Sequence, residues 1–143
     1  MRSLIAGVDD AGRSCIVEEI VIKDADVHRD GPSTRTDIFQ LRETPPPARP
    51  PAKASYHETG LEPGHMDILV LQMPANIEHP MHHTDTLNLH TIVEGHLDVL
   101  LDDGPHRLES GDSLVLPGID HGWRAGPVGC TMTILNLGSI RPS

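Results

Sequence analysis

The sequence predicts an all-β domain, a closed or double-sheet barrel, on three observations. Many short β-branched runs are punctuated by Gly, Pro and Asp, which is how strands joined by tight turns read. No helical apolar period of useful length interrupts them. From residue 66 onward the runs are evenly spaced with no helix between them, so antiparallel pairing is expected. A chain of 143 residues with 37% hydrophobic content allows one domain with one core. The chain holds one Trp, one Tyr and one Phe, so Val, Ile, Leu, Met and Ala must fill that core.

In chain order, Leu4 to Val8 and Ser14 to Lys23 flank the turn Asp9-Asp10-Ala11-Gly12 and read as an opening hairpin. Residues 24–36 are polar and turn-rich, and Thr36 to Leu41 reads as a short strand. Thr44 to Pro51 cannot join a sheet interior, because proline removes the ladder donor, so it is expected as an extended surface connector. Residues 1–53 would thus be an N-terminal hairpin, short strand and Pro-rich connector packing on a barrel core of residues 54–143, one domain overall. Met66 to Met73 is a strand stopped by Pro74. Thr86 to Val93 and His96 to Leu101 are separated by a turn at Glu94-Gly95, and Asp102-Asp103-Gly104 is a hairpin signal. His106 to Glu109, Asp112 to Leu116, His121 to Ala125 and Cys130 to Leu137 complete the set, the last two separated by Gly126 to Gly129.

The formal net charge is -10 and no Lys or Arg run occurs, so a phosphate backbone would be repelled and nucleic acid is not an expected partner. Leu4 to Val8 is too short for a signal peptide, and no stretch approaches the ~20 apolar residues of a membrane span. Cys15 and Cys130 read as small core residues of a reducing compartment. A cytoplasmic location without membrane contact is expected. No DNA-binding segment accompanies the barrel, so a fused transcription factor is not expected.

The chemistry concentrates in two stretches. His79 to Gly95 carries His79, His82, His83 and His90, with His96 just beyond. Strand alternation places His82, Thr84, Asn88, His90 and Ile92 on one face. Ile92 fits the interior, so His82, Asn88 and His90 should face inward, with His83 outward or at the rim and His79 in a loop. In Gly111 to Ala125, turns fall at Gly111-Asp112 and Pro117-Gly118, and His121 shares a face with Trp123. The one Trp of the chain beside a His reads as a cavity wall. Asp85, Glu94, Asp98, Asp102 and Asp103 read as solvated carboxylates, and Met66, Met73 and Met81 as core filler.

These stretches resemble the paired motifs of the cupin superfamily, G-x5-H-x-H-x3,4-E-x6-G and G-x5-P-x-G-x2-H-x3-N. Counting back from Gly95, the Glu position falls on Asn88. The two His positions fall on His82 and Thr84 with the shorter gap, or on Met81 and His83 with the longer. Gly111, Pro117, Gly118 and His121 find counterparts in the second motif with the Pro-to-Gly spacing one residue short, and its closing Asn falls on Ala125. The sequence is more similar to small single-domain members with H-R-T-x-T-x-D-Y-x-x-V-L-x-G and G-D-x5-G-x2-H-x-W-x-N. His82, Thr84, Thr86 and Gly95 fit the first of these, and Gly111, Asp112, Gly118, His121 and Trp123 the second.

The resemblance runs from the opening hairpin to about Leu137. It implies an antiparallel double-stranded β-helix, or jelly-roll, barrel with an N-terminal hairpin arm. It leaves the reaction open, because the superfamily spans oxygenases, isomerases, epimerases, decarboxylases, dehydratases and binding proteins. Its usual metal cluster resembles three His and one Glu. Thr84 and Asn88 are poor replacements, but His90 with His82 and His121 could make a three-His site for Zn, Fe, Mn or Ni. Cavity-lining histidines without metal are the alternative.

Two functions are therefore expected in competition. In the first, a lyase, isomerase or oxygenase, His82 and His121 supply acid and base. Thr84, Asn88 and His90 hydrogen-bond the substrate and Trp123 packs on it. Isomerase, dehydratase, cyclase or decarboxylase chemistry runs by proton transfer without a metal, whereas oxygenation needs one. In the second, the same cavity binds or senses a small ligand without turnover. The N-terminal arm and the resemblance together imply a homodimer.

Overall fold

The computed structural model describes residues 1–23, 28–30 and 33–143. Its strands are β1 (Arg2–Val8), β2 (Ser14–Val21), β3 (His28–Asp30), β4 (Ser33–Arg35), β5 (Ser55–Tyr56), β6 (Met66–Met73), β7 (Glu78–His83), β8 (Thr86–Leu101), β9 (Gly104–Glu109), β10 (Ser113–Pro117) and β11 (His121–Gly138). No helix occurs among the described residues. None is therefore long and apolar enough to cross a membrane.

Nine strands form one sheet in the order β2-β1-β10-β8-β11-β7-β5, with β6 also on β11 and β9 also on β8. The sheet curls into the jelly roll because β8 and β11 run the length of the molecule and change partners halfway. The first half of β8 pairs with β10 and with the end of β11; its second half pairs with β9 and with the start of β11. The sequence reading split each of these strands in two. What reads as a turn at Glu94-Gly95 is a bulge inside one strand, opposite a second irregularity at residues 126–129 of β11. Gly95 sits there at φ 76°, and a side chain on it would strike the carbonyl of Gly129. A glycine at this point allows the ladder to bend without ending.

The opening hairpin forms as expected, and Asp9 closes its turn by accepting the backbone N–H groups of Ala11 and Arg13 at 2.9 and 3.0 Å. Two pairings correct the antiparallel expectation. β1 lies parallel to β10, and β5 parallel to β7, because each arrives by a long connection rather than a turn. Thr36 to Leu41 is irregular rather than a strand, while β3 and β4 form a hairpin within the stretch read as turn-rich. Residues 24–27 and 31–32 of that stretch lie outside the described residues. The Pro-rich connector is extended as expected, yet Pro46 is fully buried rather than superficial.

Leu4, Ile92, Leu97, Leu108, Leu114, Leu116, Ile119 and Met132 are the most deeply buried aliphatic side chains of the core, and Trp123 is its aromatic member. Met73 is core filler, but Met66 is 57% exposed, because it points to the outer face of an edge strand. Cys15 and Cys130 are free thiols. Asp98 is not solvated: it is buried and receives hydrogen bonds from Arg107 and Arg124 at 2.8 and 3.0 Å. Asp85 pairs with Arg49 at 3.1 Å across the connector.

Candidate functional site

Alternation along β8 separates two chemistries. Thr86, Asn88, His90 and Ile92 are buried on the inner side, whereas Leu89 and Val93 are exposed on the outer. β11 lies beside β8 and contributes His121, Trp123, Ile134 and Asn136 to the same inner side. β7 then pairs with β11, setting His82 opposite His121 and His79 opposite Trp123. His79, expected in a loop, is thus part of a strand. The result is a cavity of about 570 Å³.

Two turn residues hold this together. Thr84 donates its N–H to the carbonyl of Gly118 at 3.1 Å, and a side chain on Gly118 would collide with the Thr84 carbonyl. This close approach explains the glycine after Pro117: it lets the β7–β8 junction nest against the chain entering β11, which brings His82 to His121. Asp120 accepts the backbone N–H groups of Lys53 and Ala54 at 2.8 and 3.0 Å, which holds the strap of residues 53–57 along β7. His83 points to this buried carboxylate, its Nδ1 at 3.7 Å, and stacks at a tilt on Tyr56. It therefore belongs to the strap's anchorage and not to the outer surface.

The predicted residues His82, Thr84, Asn88, His90, His121 and Trp123 all line the cavity. The imidazoles of His82 and His121 lie 4.3 Å apart by ring centroid. His82 Nδ1 donates to the carbonyl of Pro80 at 3.0 Å, and His121 Nδ1 to that of Ile119 at 2.7 Å. A carbonyl only accepts, so in both rings Nδ1 carries the proton and Nε2 is left as an acceptor. Burial lowers the pKa of His82, against the opposing pull of the Pro80 carbonyl. Burial, aided by His82, pushes His121 down to about 4. His90 is pushed down to about 3, again chiefly by burial. All three are neutral at pH 7.

His90 packs its ring on Trp123 at 4.8 Å, and Trp123 in turn meets the edge of His121 at 5.2 Å. Neither nitrogen of His90 has a protein partner, nor does the Oδ1 atom of Asn88. Thr84 Oγ1 is engaged with Thr86 Oγ1 at 2.9 Å. Among the described residues no group of three or more His, Cys, Asp or Glu side chains is arranged to hold a metal ion. His82, His90 and His121 share one cavity but do not form such a group. The imidazoles of His82, His90 and His121 are chemically fit for a metal; the neutral Thr84 and Asn88 are not, so the three-His, one-Glu set of the resemblance is incomplete.

The sequence reading missed His57. It follows β5, donates its backbone N–H to the His83 carbonyl at 2.8 Å, and meets His82 edge-on at 5.6 Å. Nothing local marks it, because the parallel β5–β7 pairing that brings it here spans some 25 residues of sequence. Five histidines, 57, 79, 82, 90 and 121, therefore line the cavity, and no Asp, Glu, Lys or Arg is among the lining residues.

A family model described as an AraC-like ligand binding domain matches residues 68–138. No curated protein matches the chain. Among solved structures, an HTH_3 family transcriptional regulator from Vibrio cholerae is 15% identical, covering 52% of this chain and 43% of its own, with a TM-score of 0.47. An RmlC-like cupin from Shewanella frigidimarina is 23% identical over 51% of this chain and 66% of its own, TM-score 0.46. DMSP lyase DddQ from Ruegeria pomeroyi is 24% identical over 56% and 42%, TM-score 0.49. The chain spans less than two thirds of the length of each. The family match falls on the part of the chain where β8 and β11 bend together and carry the paired motifs. Over the matched residues the chain resembles that family, and its fold is the cupin jelly roll.

Proposed function

We propose that the cavity binds a small, uncharged molecule rich in hydrogen-bond donors, as a ligand-binding or sensing domain. The observation that carries this reading is the absence of Asp, Glu, Lys and Arg from the described lining residues, with His82, His90 and His121 held neutral by burial. No cation lines it to meet a carboxylate or phosphate, and an ion taken from water without a partner costs several kcal/mol. What the wall offers instead are acceptors: the Nε2 atoms of His82 and His121 and the Oδ1 atom of Asn88. Trp123 supplies an apolar surface beside them. The family match, a ligand-binding domain, agrees with this.

A second reading is turnover by proton transfer. One observation favours it: His82 is only partly buried, stands 4.3 Å from His121, and is reached from solvent through the exposed His57. A general base works best near the operating pH, and His121 at about 4 is a weak one. Binding is therefore the better supported of the two. No step is routed through a metal, since the donor set does not complete a centre.

The test is isothermal calorimetry against a panel of uncharged diols, amides and phenols, with matched carboxylates, phosphates and amines. Saturable binding confined to uncharged compounds, lost in His121→Ala with the fold retained, is expected. Preference for an anion would overturn the reading. Conversion of a bound compound, abolished in His82→Ala, would establish the enzyme instead.

A further inference from the structure

One wall of the cavity is built by the strap, which reaches along β7 as far as Thr59. Ser55, Tyr56, His57 and Thr59 line the cavity from it. Lys53 and Ala54, earlier in the same segment, line a second hollow of about 350 Å³ with Arg13, Met81 and Asp102. Met81 of β7 belongs to both spaces, so the strap stands between them with β7 as its one partner in the sheet. The strap also carries the outermost of a row of rings. His57, His82, His121 and Trp123 follow one another inward at 5.6, 4.3 and 5.2 Å.

Little holds the strap apart from one carboxylate. Its ladder with β7 is two residues long, Ser55 beside His82 and Tyr56 beside His83, and the bond from the His57 N–H to the His83 carbonyl follows it. None of residues 53–59 is buried. At the far end Glu58 ties the segment to itself, accepting the Tyr56 hydroxyl at 3.0 Å and the Gly60 N–H at 2.8 Å. Its contact with Arg141 at 4.0 Å is between exposed side chains and is worth little. Asp120 differs in kind. It is 7% exposed and spends both oxygens on the N–H groups of Lys53 and Ala54. Hydrogen bonds to an ionised acceptor are roughly twice as strong as neutral ones. A segment with few apolar contacts and exposed backbone bonds opens locally at far lower cost than the core, so this carboxylate sets how often it does.

We propose that the strap of residues 53–59 is the gate of the cavity, and that Asp120 is the positioning residue that latches it shut. What passes the gate rests on the binding reading above: the uncharged ligand enters and leaves as the strap parts from β7 and carries His57 away from His82. Asp120 directly precedes His121, so one short segment sets both the latch and the deeper imidazole of the pair.

Diethyl pyrocarbonate, a small uncharged reagent that acylates a free imidazole nitrogen, reports the opening on the whole chain with no ligand present. His121 is 2% exposed and is the one histidine of the tryptic peptide Leu108–Arg124, so mass spectrometry reads its modification alone. Asp120→Asn keeps the shape of the side chain but puts a donor where one oxygen accepted. It should speed the modification of His121 about 10-fold or more, with unchanged circular dichroism. Ala54→Pro removes one latched N–H without touching Asp120, should act in the same direction, and keeps the test readable if Asp120→Asn fails to fold. Asp112→Asn separates a latch from a merely structural carboxylate. Asp112 is also buried and accepts two backbone N–H groups, those of Arg2 and Glu109, but it does not line the cavity. Its variant should leave the His121 rate unchanged. A rate that stays at the wild-type value in both latch variants overturns the gate, and so does an equal rise in Asp112→Asn. Failure to bind any uncharged compound would overturn the binding reading and not the gate, because the rate is measured without ligand.

Discussion

Two faces of one sheet, built by alternate residues of the same strands, carry opposite chemistry. On β8 the inner series Thr86, Asn88, His90 and Ile92 is buried, and it is polar except at its end. The outer series Leu87, Leu89, Thr91 and Val93 is mostly apolar and partly open to water. A simple barrel would have these the other way round, oil inside and polar groups outside. The inversion teaches where to look for function. An apolar interior is packed in the other half of the molecule, around Leu97, Val99 and Leu108. That leaves the wide end free to hold an acceptor-rich cavity on one side and an uncharged, apolar face on the other.

The comparison can be broken by placing the same charge on either side. Ile92→Lys puts an ammonium into fully packed core, with Ile92 only 1% exposed, and should cost about 4 kcal/mol or more, enough to unfold much of the protein. Urea denaturation would show it, and a loss below 1 kcal/mol would mean that the inner face is not packed as described. Gly118→Ala tests the junction that brings the cavity's walls together. The added methyl meets the Thr84 carbonyl, so about 2–3 kcal/mol should be lost, together with ligand binding.

Acid sharpens the contrast, because only the inner face holds buried imidazoles. His90 and His121 stay unprotonated in the folded chain down to about 3 and about 4, whereas in the unfolded chain they protonate near 6.5. The unfolded state therefore binds more protons between about pH 6.5 and pH 4. Stability is full above that window and falls as the pH falls through it, by up to about 1.4 kcal/mol per pH unit for each histidine. In His90→Leu the slope between pH 6.5 and pH 5, read from urea midpoints, should be shallower than in the wild type by up to about 1.4 kcal/mol per pH unit. An unchanged slope would remove His90 from this account. The smallest effect belongs to the outer face. Ile68→Lys, at a 67% exposed position, should change stability by no more than about 0.5 kcal/mol by urea denaturation.

Much of this was legible beforehand. The hairpin, β6, the inward set His82, Asn88 and His90, and the pairing of His121 with Trp123 follow from period two and turn residues, which are local. The errors share one physical cause. Gly95 and residues 126–129 look like turns, because a bulged glycine and a turn glycine use the same backbone conformation. Only the facing strand reveals that the ladder continues. His79 read as a loop residue because Pro80 follows it, and His83 as outward or rim because its neighbours Asp120 and Tyr56 are distant in the chain. Asp98 read as hairpin solvation because its partners Arg107 and Arg124 are 9 and 26 residues away.

By itself, then, the sequence determined the all-β class, the cupin motifs and which side chains of β8 turn inward, since these depend on neighbours a few residues apart. Tertiary structure alone decided that β8 and β11 are single bent strands, that His57 joins the cavity on a strap anchored by Asp120, and that His82, His90 and His121 line one cavity. It also decided that Ile68, Val70 and Leu89 on the outer face stay exposed among the described residues. Each of these depends on pairing between residues distant in the chain, whose register is set by packing and by close backbone approach.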